Sequence, residues 1–514
     1  MQLLLLTLIF CAALALSSAS PISVSIDTAN GVHAVVTGEH ADGVGSAFLG
    51  IRYAQTPVGA LRFKNAVRLD PSGNISAIAY APQCVQTYPS NPVRDDGNNA
   101  ANVNASSKLS IFFWIHGGGL IEGNGELPAP GIYNNLINRG PLIIVSINYR
   151  LGPFGFFSSR DSAVPGNAGF SDQIEALLWV RRYISFFGGD PSQVTIGGES
   201  AGAESVSALT LTPAATGLFS RAIQQSGSAF GTGLWSYSEK TRSTSRQLTA
   251  LLNCSTGDQW DASSNRSYAV DCLRKLTADN IQRANGQIQW NGDKGYLYKW
   301  GPVQEPILFP YQLESVAAAR KSIPVLAGVC GSEWLVAFEY FFEINDTEIF
   351  TLQNVVTGLS QAYEMTYWNN ADQVASWCLR NLQFVQVMSA TLNNYFYSVN
   401  ALPNDYITWA NQLIEAWSDM LLIGPVLRDI GYYAVCIWLQ IMALFVRLPV
   451  AKCVDIFAEC RVPHAWDLQY MAGVVGEGGA FTPQPKVGLG FHPSSLFFAC
   501  TAPAIDGRKP AFCP

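Results

Sequence analysis

The sequence contains no dense cluster of lysine and arginine, and only 13% of its 514 residues are charged. Its formal net charge is −7, so it lacks the basic character of nucleic-acid-binding proteins, and we expect no nucleic-acid partner. No apolar run reaches the roughly 20 residues of a membrane helix, so we predict no stable membrane span. Internal repeats and long Gly/Ser or Pro linkers are also absent. Because 48% of the residues are hydrophobic, the chain can form a large core.

The N-terminal apolar run, Leu3–Leu16, is too short to span a bilayer comfortably and ends in the small residues Ser17–Ser20. We predict a signal peptide over residues 1–19; a membrane anchor is the alternative, since no Lys or Arg precedes the run. Eleven cysteines permit disulfides in an exported protein. Export also agrees with the N-glycosylation sequons, so we expect a secreted glycoprotein. The sequons begin at Asn74, Asn104, Asn253, Asn265 and Asn345.

Alternating strand and helix patterns indicate the fold class. The β-branched runs Ile143–Ile147 and Val194–Ile196 predict buried strands. The apolar spacing between Phe170 and Phe187 predicts a helix, which should end before a turn at Gly188–Pro191. This alternation predicts an α/β protein with a central, mostly parallel sheet flanked by helices.

The last part of the chain has a different character. Gly431–Val446 has no charged residue but is short for a membrane span, and we expect a buried strand and its neighbour there. Residues 476–514 are rich in Gly and Pro and have little helical periodicity. We therefore expect one large domain over residues 20–514, atypical from about residue 431 onward.

The pentapeptide Gly198–Gly202, GESAG, fits the G-x-S-x-G pattern. A serine on a sharp strand-to-helix turn exposes its hydroxyl, and side chains at the flanking glycines would clash there. A strand precedes it, and residues 203–211 can form a helix. An ordinary turn is the alternative, because Gly and Ser are abundant. We predict that Ser200 is a nucleophile.

A second glycine-rich element, HGGG at His116–Gly119, follows an apolar run upstream of the serine. Consecutive glycines leave backbone N–H groups open to a substrate oxygen, as an oxyanion hole requires. A floppy loop is the alternative. Together with the serine turn, the element predicts Gly118, Gly119 and Ala201 as backbone donors.

A serine nucleophile needs a base, and the chain has five histidines. His33 and His40 lie in early predicted strands and turns, and His116 belongs to the glycine loop. In an α/β-hydrolase the base follows both the nucleophile and the acid, which leaves His464 and His492. His492 lies in the Gly/Pro-rich tail, so order and placement favour His464.

The acid should follow a strand between the serine and the histidine. Ile323–Val329 has the composition of such a strand, and Glu333 follows it. Glu339 and Glu343 are the competitors, but their spacing of four is typical of a solvated helix face. We predict that Glu333 orients the histidine.

These motifs together resemble the type B carboxylesterase family, which includes cholinesterases and fungal-type lipases. The resemblance covers most of the chain: Phe48–Ala54 with Pro57–Gly59, Asn148–Phe156, residues 167–191, the serine turn and Gln225–Gly227. It implies an α/β-hydrolase fold. By motif match it also implies a Ser200–Glu333–His464 triad, an oxyanion hole at Gly118, Gly119 and Ala201, supporting roles for Glu199 and Ser226, and a disulfide-closed loop at Cys254–Cys272.

The chain also departs from the family pattern. Residues 95–104 lack the cysteine that would pair with Cys84, so Cys84 has no evident partner. Trp334 replaces the small residue that usually follows the acid. The segment from Cys436 to Cys460 does not match the family, and the part after His464 is short.

We expect a secreted serine carboxylesterase that acts on small-molecule or lipid esters without a cofactor or metal. The alternatives are a non-catalytic binding or adhesion protein on the same scaffold, or a defective, truncated esterase. The sequence gives no indication of an oligomeric state.

Overall fold

The computed structural model places a mixed, mainly antiparallel sheet at the N-terminal end of the described chain. Strand β1 (Ser20–Asp27) pairs antiparallel with β2 (His33–Ala41), β2 pairs antiparallel with β3 (Gly45–Ala47), and β4 (Gly73–Ser76) joins β2 in parallel. The structure describes residues 20–41, 45–86, 106–126, 136–137, 140–159, 161–231, 238–288, 299–311, 313–317, 320, 323–330, 333, 418, 423–434, 474–475, 479–480 and 499–500.

The central sheet confirms the predicted fold class. Its parallel strands are β5 (Leu109–Ile115), β6 (Leu142–Ser146), β7 (Gly189–Glu199), β8 (Arg221–Gln225) and β9 (Val325–Gly328). They lie in the order β9–β8–β7–β5–β6. β7 contains the predicted 194–196 strand but begins at Gly189, where a turn was expected. The remaining strands are β10 (Val474–Val475) and β11 (Gly479–Ala480), which pair with each other, and β12 (Ala499–Cys500), antiparallel to β9.

Helices alternate with these strands. The predicted 170–187 helix is observed as the helix Ala168–Tyr183 followed by a 3-10 turn, and the serine turn leads into the helix Ala201–Leu211. The α-helices are α1 (Gly152–Phe156), α2 (Ala168–Tyr183), α3 (Ala201–Leu211), α4 (Ser238–Leu251), α5 (Gly257–Ala262), α6 (Ser267–Lys275), α7 (Ala278–Gln287), α8 (Leu313–Ala317) and α9 (Gly424–Ala434). The 3-10 turns are Gly59–Leu61, Ile184–Phe187 and Pro213–Ala215. Residues 431–434 form the end of α9. The rest of the run to Val446, where a buried strand and its neighbour were expected, lies outside the described residues.

Strand β6 is less buried than its sequence predicted. All five of its residues are half-buried, because β6 is the last strand of the central sheet within the described ranges. A cavity of about 530 Å³ lies beside β6, with Ile51, Tyr53 and Trp179 among its lining residues. The central strands β5 and β7 are enclosed instead, with Phe113 and Ile196 fully buried.

A buried ion pair fastens the turn after β6 to α2. Arg150 donates to both carboxylate oxygens of Asp172 at 2.7 Å and also to the carbonyls of Lys64 and Ala168. Both side chains are less than one tenth exposed. Because each charge is paired and hydrogen-bonded, the pair can persist away from solvent.

The structure describes several of the features that the sequence predicts. Cys254 and Cys272 form a disulfide, and Cys84 is a free thiol. The sequon residues Asn74 and Asn265 are exposed, as is Asn253. Within the described ranges, no helix has the length and apolar character to cross a membrane. The predicted signal peptide, Asn104 and Asn345 lie outside the described residues.

Candidate active site

Ser200 occupies the sharp turn between β7 and α3. Its backbone has φ 56° and ψ −127°, a strained conformation for a residue with a side chain. The turn is fixed on both sides, since the Ser200 N–H donates to Gln225 O at 2.9 Å and Ser200 O accepts from the Glu204 N–H at 2.9 Å. This geometry matches the nucleophile turn that the pentapeptide predicts.

The two glycines of the pentapeptide are required by close backbone contacts. A Cβ added at Gly198 would lie 2.5 Å from the carbonyl of Gly202, and one added at Gly202 would lie 2.1 Å from Ile115 O. Both distances are shorter than real Cβ contacts, and the obstructing atoms are backbone. Glycine at these positions is therefore a packing requirement of the turn.

The glycine loop packs directly against the serine turn. Ile115 and Gly198 are paired in register in β5 and β7, so both turns leave the sheet at the same level. A Cβ added at Gly117 would lie 3.0 Å from the Cβ of Ser200 and 2.7 Å from Glu199 O. The structure thus brings together two predicted elements that are far apart in the sequence.

The loop backbone is shaped by two glycines with positive φ, 98° at Gly118 and 59° at Gly119. Gly118 O accepts from the N–H groups of Ile121 and Glu122 at 3.0 and 3.1 Å. Among the described residues, the N–H groups of Gly118 and Gly119 donate to no protein acceptor. The loop can therefore offer both N–H groups to a ligand oxygen.

Glu199 and Ser226 lie on either side of the turn. Glu199 is 5% exposed, and its Oε2 would be 3.0 Å from a Cβ added at Gly117. Ser226 follows β8, is buried, has a φ of 55°, and donates its N–H to Gly328 O at 2.8 Å. Both positions thus border the strand ends that surround Ser200.

Glu333 lies beyond β9, the second strand from β7. Its side chain is 1% exposed, and its Oε1 accepts from the N–H of Cys330. The Ser226 hydroxyl lies 4.0 Å from the Cys330 sulfur, which links the turn after β8 to the segment that carries Glu333. The proposed base His464, together with His492, Glu339 and Glu343, lies outside the described residues.

His116 is a buried histidine of the glycine loop rather than a surface group. Burial lowers its pKa to about 4, so the imidazole is neutral at physiological pH. His116 stacks on Tyr149, with ring centroids 4.4 Å apart, and Tyr149 Oη donates to His116 O at 2.9 Å. His33 and His40, by contrast, belong to β2 of the N-terminal sheet.

Sequence reasoning missed two contributors to this site, Gly227 and Tyr149. A Cβ added at Gly227 would lie 2.3 Å from Ser200 O, so this glycine lets the turn after β8 approach the serine. Both residues fall inside motifs that the family resemblance rests on. That signal marked them as shared positions but did not indicate what they contact.

A buried polar network ties helix α9 to the rear of the serine turn. Asp429 is fully buried and accepts hydrogen bonds from Ser207 of α3 at 2.6 Å and from Ser228 at 2.9 Å. Arg320 donates to the other carboxylate oxygen of Asp429 at 2.5 Å. The network thus connects α3, the turn after β8 and α9.

Comparison with known proteins agrees with this geometry. The model of the carboxylesterase family matches residues 24–436, which is more than half of the chain. The matched region includes the glycine loop, the serine turn and Glu333, and it ends before His464.

Similar proteins come from animals and bacteria. Liver carboxylesterase 1 of Mus musculus is 30% identical over 355 residues, covering 62% of this chain and 61% of the relative. Para-nitrobenzyl esterase of Bacillus subtilis (strain 168) is 34% identical over 319 residues, covering 58% and 61%. Acetylcholinesterase-1 of Trittame loki is 32% identical over 323 residues, covering 59% and 57%. The chain thus spans about three fifths of the length of these curated relatives.

Proposed function

The chain belongs to the carboxylesterase family, and from this premise we propose that it is a serine hydrolase that cleaves carboxylic esters through an acyl-enzyme intermediate. The observation that carries the proposal is the close packing of the glycine loop against Ser200. A Cβ added at Gly117 would lie only 3.0 Å from the Cβ of Ser200. An ordinary strand-to-helix turn needs neither a strained serine nor a neighbouring loop with free N–H groups. An acyl-transfer site needs both.

In the acylation step, Ser200 Oγ forms a bond to the ester carbonyl carbon while its proton passes to the imidazole of His464. The carbonyl electron pair moves onto oxygen, where the N–H groups of Gly118, Gly119 and Ala201 stabilise it. The bond to the alcohol oxygen then breaks, and the alcohol leaves with the proton from His464. Ser200 is left acylated.

In the deacylation step, a water attacks the acyl carbon while His464 takes its proton. Collapse of the second oxyanion releases the carboxylic acid, and the proton returns to Ser200. Glu333 orients His464 and stabilises its charged form. Every proton and electron pair in these steps moves between groups of the protein, the ester and water, so the proposed reaction requires no cofactor or metal.

Supporting roles belong to Glu199 and Ser226. Glu199 places a buried carboxylate next to Gly117, where it can act on the charge of the catalytic centre. Ser226 connects the turn after β8 with Cys330 and, through it, with the segment of Glu333. The substrates are small-molecule or lipid esters.

The protein acts outside the cytoplasm in this proposal, after cleavage of a signal peptide over residues 1–19. The Cys254–Cys272 disulfide supports it, since such bonds persist in oxidising compartments. Exposed sequon asparagines at Asn74, Asn253 and Asn265 also support it. Secretion from a eukaryotic host, with a mass loss on glycosidase treatment, is the expected result; retention of an unmodified chain in the cytoplasm would contradict it.

Hydrolysis of a chromogenic ester, p-nitrophenyl butyrate, tests the proposed reaction. We expect a burst of one p-nitrophenol per chain where deacylation is slower, and loss of turnover in Ser200→Ala and in His464→Ala. A folded wild-type chain without turnover on short- and long-chain esters would instead support the binding or adhesion protein. Failure to obtain a folded chain would support the defective esterase.

A further inference from the structure

The orientation of each proposed oxyanion donor is set by the carbonyl of the same peptide unit. In a trans peptide the N–H points away from the C=O, so a hydrogen bond that fixes the carbonyl of one residue also fixes the N–H of the next. Main-chain N–H groups hold the carbonyls of Gly118 and Ser200 in this way. These bonds fix the N–H groups of Gly119 and Ala201.

The third donor is held by a side chain instead. The Gly117 carbonyl, which shares its peptide unit with the Gly118 N–H, accepts from His116 Nδ1 at 2.8 Å. A carbonyl oxygen only accepts, so Nδ1 must carry the proton in this contact. Within the described ranges, no main-chain N–H donates to Gly117 O. Within the part of the chain that the structure describes, the direction of the Gly118 N–H therefore depends on the His116 side chain.

The imidazole of His116 is itself held from two sides. Tyr149 stacks on it at 4.4 Å, with 21° between the rings, and binds its carbonyl. Gly123 lies at the Nδ1 edge of the ring, where an added Cβ would lie 2.4 Å from His116 Nδ1 and 2.7 Å from Gly117 O. Gln86 fixes Gly123 with both amide atoms, accepting from its N–H at 2.9 Å and donating to its carbonyl at 3.0 Å.

We propose that His116, which stacks on Tyr149 and is contacted by the Gln86–Gly123 pair, is a positioning residue that orients the Gly118 N–H toward the developing oxyanion. The inference rests on the proposed esterase function and names a further residue of the same site. His116 acts through the Gly117–Gly118 peptide and does not contact the substrate. Its loss should therefore affect the transition state more than the bound ester.

A matched pair of variants separates positioning from packing. His116→Phe keeps an aromatic ring against Tyr149 but has no donor for Gly117 O. His116→Asn loses the ring but keeps an N–H donor near the position of Nδ1. We expect kcat for p-nitrophenyl butyrate to fall by about 10²- to 10³-fold in His116→Phe, the range for loss of one oxyanion donor, with little change in KM. His116→Asn should recover most of the rate.

The opposite order, with His116→Phe close to the wild type and His116→Asn impaired, would overturn the inference and leave only a packing role. The exposed His33 of β2 provides the control, and His33→Asn should leave both constants unchanged. An inactive wild-type chain would overturn the proposed function, and this inference with it, before any variant is compared.

A transition-state analogue gives a second readout that does not depend on turnover. Ser200 Oγ adds to the carbonyl carbon of a trifluoromethyl ketone while His464 takes the hydroxyl proton. The carbonyl electron pair moves onto oxygen, no group leaves, and the resulting oxyanion lies against the donors. The inhibition constant of the ketone should rise in His116→Phe by about the factor by which kcat/KM falls. If His116→Phe does not fold, Gln86→Leu replaces it. Loss of the two hydrogen bonds to Gly123 should raise the inhibition constant of the analogue by a larger factor than it raises KM. Equal affinity for the analogue in a folded variant and the wild type would contradict the inference.

Discussion

Ile115 and Gly198 lie side by side in register in the parallel strands β5 and β7. The glycine loop follows Ile115 and the serine turn follows Gly198, so both begin at the same edge of the sheet. In α/β proteins the carboxyl ends of parallel strands converge at such an edge, where ligands bind. The site consequently depends on close backbone contacts between two turns, and these contacts tolerate no added side chain.

Gly202→Ala tests this backbone contact. Its Cβ would lie 2.1 Å from Ile115 O, so we expect a loss of roughly 1–3 kcal/mol in the free energy of unfolding and a large loss of esterase activity. Gly286→Ala is the control, because that glycine is in helix α7 with open space around it. The control should be neutral or slightly stabilising. Equal unfolding free energies for Gly202→Ala and the wild type would contradict the packing account.

Asp429→Ala should destabilise the chain strongly. It leaves the buried Arg320 guanidinium without its carboxylate, a change that typically costs about 3–5 kcal/mol. The exposed pair Arg246–Asp261 is the control, and Asp261→Ala should cost about 1 kcal/mol or less. Urea unfolding measures both changes. Similar costs for the two variants would show that the Asp429 network does not stabilise the fold.

The stability of the chain should depend on pH through His116. Burial lowers the pKa of this histidine to about 4, below the usual value of about 6.5. Between these two values the unfolded chain binds a proton that the folded chain does not. The free energy of unfolding should therefore decrease as pH falls through this window, by roughly 3 kcal/mol in total.

His116→Asn removes this titration. Urea unfolding at about pH 5 and about pH 7 should show a smaller difference between the two pH values in the variant than in the wild type. The same difference in both proteins would mean that His116 is not the group that titrates.

The disulfide should matter for stability and not for catalysis. Cys254 and Cys272 close a loop with a sequence separation of 18, and such a bond typically stabilises by about 3 kcal/mol. We expect the double variant Cys254→Ser, Cys272→Ser to lose about this much in the free energy of unfolding while it keeps its kcat/KM. A loss of activity in the folded double variant would show that the loop shapes the site.

Short sequence patterns predicted the turn at Ser200 and two nearby strands, because residues close together in the sequence determine their geometry. The flanking glycines of Ser200 identified the turn, because a strained serine with short backbone contacts needs them. The β-branched runs predicted β6 and part of β7. The start of β7 at Gly189 was missed, because pairing with Leu109 of β5 extends the strand into a sequence typical of turns.

Long-range contacts were beyond the sequence patterns. Gln86 and Gly123 have no motif in common, and their contact appears only once the chain is folded. Asp429 lies far along the chain from Ser207, so nothing local indicates that it would accept that hydroxyl. The reduced burial of β6 likewise depends on which strands lie beside it.

The most direct test of the central claim is to treat the purified, folded protein with a fluorophosphonate probe and to locate the adduct by mass spectrometry. In this reaction Ser200 Oγ forms a bond to phosphorus, fluoride leaves, and His464 takes the hydroxyl proton. The account predicts one adduct, on Ser200, that is lost in Ser200→Ala and in His464→Ala. A folded protein without an adduct, or with an adduct at another residue, would contradict it.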